Sequence, residues 1–156
     1  MAQEQTVLSC VMIPVAGTQL LLPNVCIAEI VPWRRMQPME RSPAWCLGLL
    51  GWRGENIPVI RYEILNKKGS EGAPKTGRCM VVMNRARSAE GPAFYALAAD
   101  QLPRMVQLNE NDISNTPISL GPAETVVVAV GTEPAVIPNL EYIEEQVRAL
   151  GELGNP

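Results

Sequence analysis

Apolar residues along the chain fall into short runs broken by Gly, Pro and Asn, with little of the 3.6-residue spacing of helices until the last quarter, and this pattern predicts a β protein. Residues 7–15 and 19–22 form two strands around the turn Ala16-Gly17-Thr18, with Pro14 and Pro23 punctuating the strand ends. After a turn at Pro23-Asn24 the β pattern resumes over 25–31, and 32–43 is irregular. Residues 46–52 and 57–60 are strands on either side of a turn, with Pro58 marking an edge or a strand start, and 62–65 are one helical turn. The polar, Gly-rich stretch 66–77 reads as an exposed connection. Strands follow at 78–84, 93–99 and 102–108, with a loop at 85–92 and a second long polar loop at 109–123. The densest β-branched run, 124–130, turns through 131–134 into a short strand at 135–137.

Residues 139–150 are the one convincing helix. Asn139 suits its N-cap, Glu141, Glu144 and Glu145 the positive end, Arg148 the negative end, and Gly151 the stop. Leu140, Ile143, Val147 and Leu150 share one face, which must dock on a sheet.

The two halves of the chain resemble each other. Turn, short apolar strand and helix start follow in the same order from Gly54 and from Gly131, 77 residues later (131 − 54). Leu21 and Leu97 sit in similar short runs 76 residues apart (97 − 21). Near-equal offsets suggest a tandem unit of about five short strands, as small barrels require.

Composition narrows the functional classes. At 156 residues the chain fits one domain, or two small subdomains sharing a core. A net charge of −3, with no basic run longer than two residues, gives no electrostatic footprint for nucleic acid. Cys10, Cys26, Cys46 and Cys79 lie in apolar contexts without a Cys-x-x-Cys pair, so they read as buried reduced thiols. The start of the chain lacks the basic region of a signal peptide, and no apolar run approaches the ~20 residues of a membrane span. The expectation is a cytoplasmic protein with no direct membrane insertion.

Catalysis finds little support. The chain has no His, so a general base would have to be a carboxylate, Lys or Cys. Glu29 and Glu55 are not spaced as a defensible pair, Asp100 suits a turn, and Gly51-Trp52-Arg53-Gly54 lacks the length and Lys of a phosphate loop. The reading is a non-enzyme without metal or cofactor. Binding fits better: Gly51 and Gly54 offer positive φ on both sides of Trp52-Arg53, which would hold Arg53 at a hairpin tip with its guanidinium free for a partner's carboxylate or carbonyls. Trp33, Trp45 and Trp52 can serve as core or as interface anchors, Trp33 being the most evenly balanced.

The stretch Gly48-Leu49-Leu50-Gly51-Trp52-Arg53-Gly54, followed by Ile57-Pro58-Val59-Ile60, resembles the signature of the CheW-like family, the adaptor proteins of bacterial chemosensory arrays. Glu29-Ile30 matches the family's Glu-Ile, Arg53-Gly54 its Arg-Gly, and Asp100 its second-half Asp. Gly51 stands where Asn is usual, Trp52 where Leu is usual and Arg61 where Asp is usual. The resemblance implies an all-β fold of two linked five-stranded SH3-like barrels with a C-terminal helix. It covers 1–156 as a single CheW-like domain, with subdomain 1 at about 7–65, a linker at 66–77 and subdomain 2 at about 78–150. It further implies an adaptor, recruited to membrane-associated arrays, that couples the cytoplasmic tip of methyl-accepting chemoreceptors to the regulatory domain of a CheA-type histidine kinase. Partner contacts would fall on Arg53, Gly54, Trp52, Trp33, Glu29, Ile30 and Asp100. Divergence in the second half, with Glu124 near the family's usual small glycine, points to an auxiliary system such as one governing type IV pili and twitching. The alternative is a stand-alone small β-barrel module that binds a peptide or an oligosaccharide.

Overall fold

A computed structural model describes residues 7–15, 17–66, 76–84, 94–116 and 120–153. The first half contributes β1 (Leu8–Val15), β2 (Thr18–Pro23), β3 (Ile27–Pro32), β4 (Cys46–Trp52), β5 (Glu55–Ile60) and the one-turn helix α1 (Tyr62–Leu65). The second half contributes β6 (Cys79–Met83), β7 (Tyr95–Ala99), β8 (Arg104–Leu108), β9 (Ile113–Thr116), β10 (Glu124–Val130), β11 (Glu133–Pro138) and α2 (Leu140–Leu153). The strand assignments at 46–52 and 124–130 and the helical turn at 62–65 coincide with the sequence reading. Much of the loops at 66–77 and 85–92 lies outside the described residues.

Three expectations are corrected. A 3-10 turn at Asn24–Cys26 takes up the start of the strand expected over 25–31. The loop expected over 109–123 contains β9, preceded by a 3-10 turn that Asn109 and Asp112 cap reciprocally. Those short polar side chains hid the strand because they look like loop chemistry; β9 forms because β10 offers it an edge, Val127 pairing with Thr116 and Val130 with Ile113. Helix α2 continues through Gly151 to Leu153, so Gly151 does not stop it, although Asn139 caps it as expected by accepting from the Tyr142 N–H at 3.1 Å.

Strand order is β8-β1-β2-β11-β10-β9 in a six-stranded sheet and β3-β6-β7-β5-β4 in a five-stranded one. Each sheet therefore takes a hairpin from the other half of the sequence: β1–β2 joins the second-half strands, and β6–β7 joins the first-half strands. The exchange obeys the internal repeat. Parallel pairing of Val136 with Leu20 in one sheet corresponds to Val59 with Ala96 in the other, offsets of 77 (136 − 59) and 76 (96 − 20).

Alternation along these strands builds three apolar clusters. The largest lies between the sheets: Ile13 and Leu20 of one meet Val81 and Leu97 of the other, and Ile143 and Val147 of α2 pack into the same cluster. This is the dock that the helix stripe requires, and Leu150 is buried as well. A second cluster, including Leu50, Trp52, Val59 and Met80, sits on the other face of the five-stranded sheet, and a third, including Met12, Leu21 and Val128, on the other face of the six-stranded sheet. Pro58 is tolerated inside β5 because pairing with β7 begins only at Val59, so its missing N–H forfeits no bond on that side.

A candidate docking site around the Arg-Gly hairpin

The hairpin β4–β5 closes through two residues, Arg53 and Gly54, both left-handed at φ 47° and 79°. Two positive φ values in a two-residue loop are what the right-handed twist of the flanking strands asks of a tight hairpin. The conformational demand thus falls on Arg53 and Gly54 and not on Gly51, which lies within β4 opposite Asn56.

Arg53 is presented as expected, with 67% of its side chain exposed, but its guanidinium already has partners. It lies 4.5 Å from the Trp52 ring centroid, and its Nη2 donates to Glu29 Oε1 at 3.3 Å. Trp52 Nε1 donates to the same oxygen at 3.3 Å. Glu29 is on β3 and Trp52 on β4, the two outermost strands of the five-stranded sheet, so these bonds draw the sheet's edges together. The segment after β3 completes the seam. Gln37 and Leu49 exchange backbone bonds of 2.8 Å, and Arg34 Nη2 donates to the Gly51 carbonyl. Gly48 is required there, because a Cβ would come within 2.9 Å of the Gln37 oxygen.

Trp52 itself is only 5% exposed and stacks at a tilt on Phe94, so its indole is core rather than an anchor offered to a partner. Its contribution to the tip is the platform under Arg53. Ile30, next to Glu29 on β3, belongs with Trp33 to a second feature. They line an open groove of about 390 Å³ together with Val31, Pro32, Arg78, Cys79 and Leu102. Leu102 leads into β8, the edge of the six-stranded sheet, so the groove runs between the two sheets. Burial pushes the Cys79 thiol above its ordinary value, with Arg78 pulling the other way. Strand β3 thus joins the charged tip through Glu29 to the apolar groove through Ile30.

Asp100 belongs to neither feature directly. Its Oδ1 accepts from Arg61 Nη1 at 2.9 Å, and Arg61 is fully buried. The Arg at 61, visible in the sequence only as a departure from the family pattern, is part of an internal ion cluster with Asp100 and Glu63. Leu102 and Arg34 were missed by the sequence reading, since an apolar residue next to a Pro and an Arg in an irregular run carry no positional signal of their own. Among the described residues no group of three or more His, Cys, Asp or Glu could hold a metal ion, and no helix is long and apolar enough to cross a membrane.

The model of the CheW-like domain matches residues 9–147. The chain belongs to the CheW-like family. A chemotaxis protein CheW of Rhizobium meliloti (strain 1021) is 26% identical over 102 residues, which is 65% of this chain and 62% of that protein, so the match spans under two thirds of the relative. The crystal structure of the scaffolding protein TtCheW from Thermoanaerobacter tengcongensis superposes with a TM-score of 0.68 at 18% identity, covering 85% of this chain and 89% of that one. At that identity the likeness is one of fold.

Proposed function

We propose that this CheW-like chain is a non-enzymatic adaptor that couples the cytoplasmic tip of a chemoreceptor to the regulatory domain of a CheA-type histidine kinase. The observation that carries the reading is the position of β3, whose Glu29 holds the exposed Arg53 guanidinium of the β4–β5 turn and whose Ile30 lines an open groove with Trp33 and Leu102. A groove of this chemistry suits the apolar face of a partner helix, and an exposed guanidinium suits a partner's carboxylate. The receptor tip is assigned to the groove and the Arg-Gly turn, and the kinase domain to one of the two sheets. An adaptor of this kind transmits signal by differential affinity for two partner states, which needs no titrating or nucleophilic group. The divergence in the second half, with Glu124 near the family's usual small glycine, favours an auxiliary pathway, such as one controlling type IV pili and twitching, over the main flagellar one.

The test is titration of the purified chain with the regulatory domain of each CheA-type kinase of its own organism, and with receptor-tip helical hairpins, alongside Arg53→Glu. Micromolar or tighter binding to one kinase domain and one tip, with Arg53→Glu weakening the tip by at least tenfold, is the expected result. Binding to neither partner would overturn the adaptor reading and turn attention to the groove as a stand-alone peptide or oligosaccharide site.

A further inference from the structure

Arg61 carries a charge that the adaptor role does not call upon, on a side chain with no exposed surface. It follows β5, and its guanidinium spans two stretches that flank one hairpin. Nη2 donates to the Thr76 carbonyl at 2.7 Å, just before β6, and Nη1 donates to Asp100 Oδ1 at 2.9 Å, just after β7. Glu63 Oε2 lies 3.6 Å from Nη1. One planar fork thus holds the chain entering β6 and the chain leaving β7, a span that a single ammonium cannot cover with the same geometry.

Both stretches continue directly into the walls of the groove. Next to Thr76, Gly77 is wedged so tightly that a Cβ would lie 2.6 Å from the Ala99 oxygen and 3.1 Å from the Trp33 ring. The Arg78 N–H donates to Ala99 O at 2.8 Å, and the Trp33 N–H to Arg78 O at 3.2 Å. Two residues beyond Asp100 stands Leu102, and the Asp100 N–H is fixed on Pro14 O at 2.9 Å. We propose that Arg61 is a positioning residue for the groove: it sets the spacing between the Trp33–Arg78 wall and the Leu102 wall, and through it the affinity for an apolar partner helix that it never touches. The affinity half of this proposal rests on the groove being the receptor-tip site; the spacing half does not.

The experiment uses the full chain with Arg61→Lys, which keeps the charge and loses the fork, and Asp100→Asn, which keeps the shape and loses the charge. Amide hydrogen exchange at Trp33 and Arg78 is measured first, with the amides of β10 and β11 as the internal reference. Affinities for a receptor-tip hairpin and for a kinase regulatory domain are measured second. In both variants we expect exchange at Trp33 and Arg78 to rise at least tenfold with β10 and β11 unchanged. Tip affinity falls five- to tenfold while kinase affinity stays within twofold. Unchanged exchange at Trp33 and Arg78, a uniform rise across the chain, or an equal loss of both affinities would overturn the proposal, since a merely structural ion pair gives those results. If Arg61→Lys does not fold, Asp100→Asn decides. If the wild-type chain binds no tip, the groove as the receptor-tip site falls, and local exchange still decides whether Arg61 sets the groove.

Discussion

Replacing Arg53 by Gly and by Ala separates what the guanidinium does for the fold from what it does for a partner. Both substitutions remove the ion pair to Glu29, whose side chains are 67% and 44% exposed, so that contact is worth only about 0.2–1 kcal/mol. Both also remove the cation–π contact with Trp52, about 0.5–1 kcal/mol at an exposed site. They differ at the backbone. Arg53 sits at φ 47°, where any L side chain costs roughly 1–2 kcal/mol. Ala retains that cost and Gly removes it, less the ~0.5–1 kcal/mol by which Gly's extra freedom favours the unfolded chain. Arg53→Ala should therefore lose about 1–2 kcal/mol and Arg53→Gly about 0.7 kcal/mol less, a gap of roughly 2 °C in Tm at this chain length. Urea denaturation followed by tryptophan fluorescence measures the gap, and titration with the receptor tip measures binding. There both variants should lose equally, by about 1.5–3 kcal/mol or some 10- to 100-fold. Equal destabilisation by Ala and Gly would refute the strained-turn argument, and full tip affinity in the Gly variant would refute the contact.

Ile143→Ala, which hollows the cluster between the sheets, should cost about 2–5 kcal/mol in urea unfolding with no gain in local exchange confined to α2. Stability should fall above pH 10. Burial first, then Glu124 and Glu63, raise Tyr62, and burial, then Glu144 and Cys26, raise Tyr95, so the unfolded chain loses these protons before the folded one. The loss is absent below the ordinary phenol value and grows by up to about 1.4 kcal/mol per pH unit for each tyrosine; Tyr62→Phe should remove one such share from an alkaline unfolding series. Cys10, Cys46 and Cys79 are buried with thiols pushed up by burial, whereas Cys26 is half-buried, so a disulfide reagent should titrate Cys26 first in the native protein and all four only after unfolding. Fragments cut between residues 70 and 71 should each fail to fold and should fold on mixing, because each sheet needs a hairpin from the other fragment; a folded isolated fragment by circular dichroism would contradict the exchange.

Much of this was legible because the signals are local. The β-branched run of β10, the two-residue turn after Trp52 and the Asn-capped amphipathic helix each specify themselves, and the offset of the repeat located its equivalent strands before any pairing was known. What could not be read depends on contacts distant in sequence. Nothing between residues 109 and 123 announces β9 until the edge of β10 is in place, and nothing in the order of strands says that the first hairpin crosses to the other sheet. The same holds at the candidate site. Arg53 could be placed at a tip from its glycine neighbour, but its partner Glu29 stands 24 residues away, on a strand that becomes the opposite edge of the same sheet.

That distance matters for how the tip stays ordered where the two edges of the five-stranded sheet meet. An exposed hairpin Arg on a flexible tip would lose side-chain freedom on meeting a partner, at a cost of about 0.5–1.5 kcal/mol for such a side chain. Here the ring beneath it and the carboxylate beside it restrict it in advance, and the same carboxylate binds Trp52 Nε1, which is anchored in the core. Orientation of the tip and closure of the β3–β4 seam are therefore one set of bonds. Across β3 the groove is held differently, by backbone bonds between Trp33, Arg78 and Ala99 and by the buried Arg61 behind them. A partner that takes Glu29's place on Arg53 loosens the seam without disturbing the groove, whereas a change at Arg61 reaches the groove without touching the tip. The tip and the groove, which share only β3, can thus be strengthened or weakened separately, which is what an adaptor needs if its hold on a partner is to change with signal rather than be lost with it.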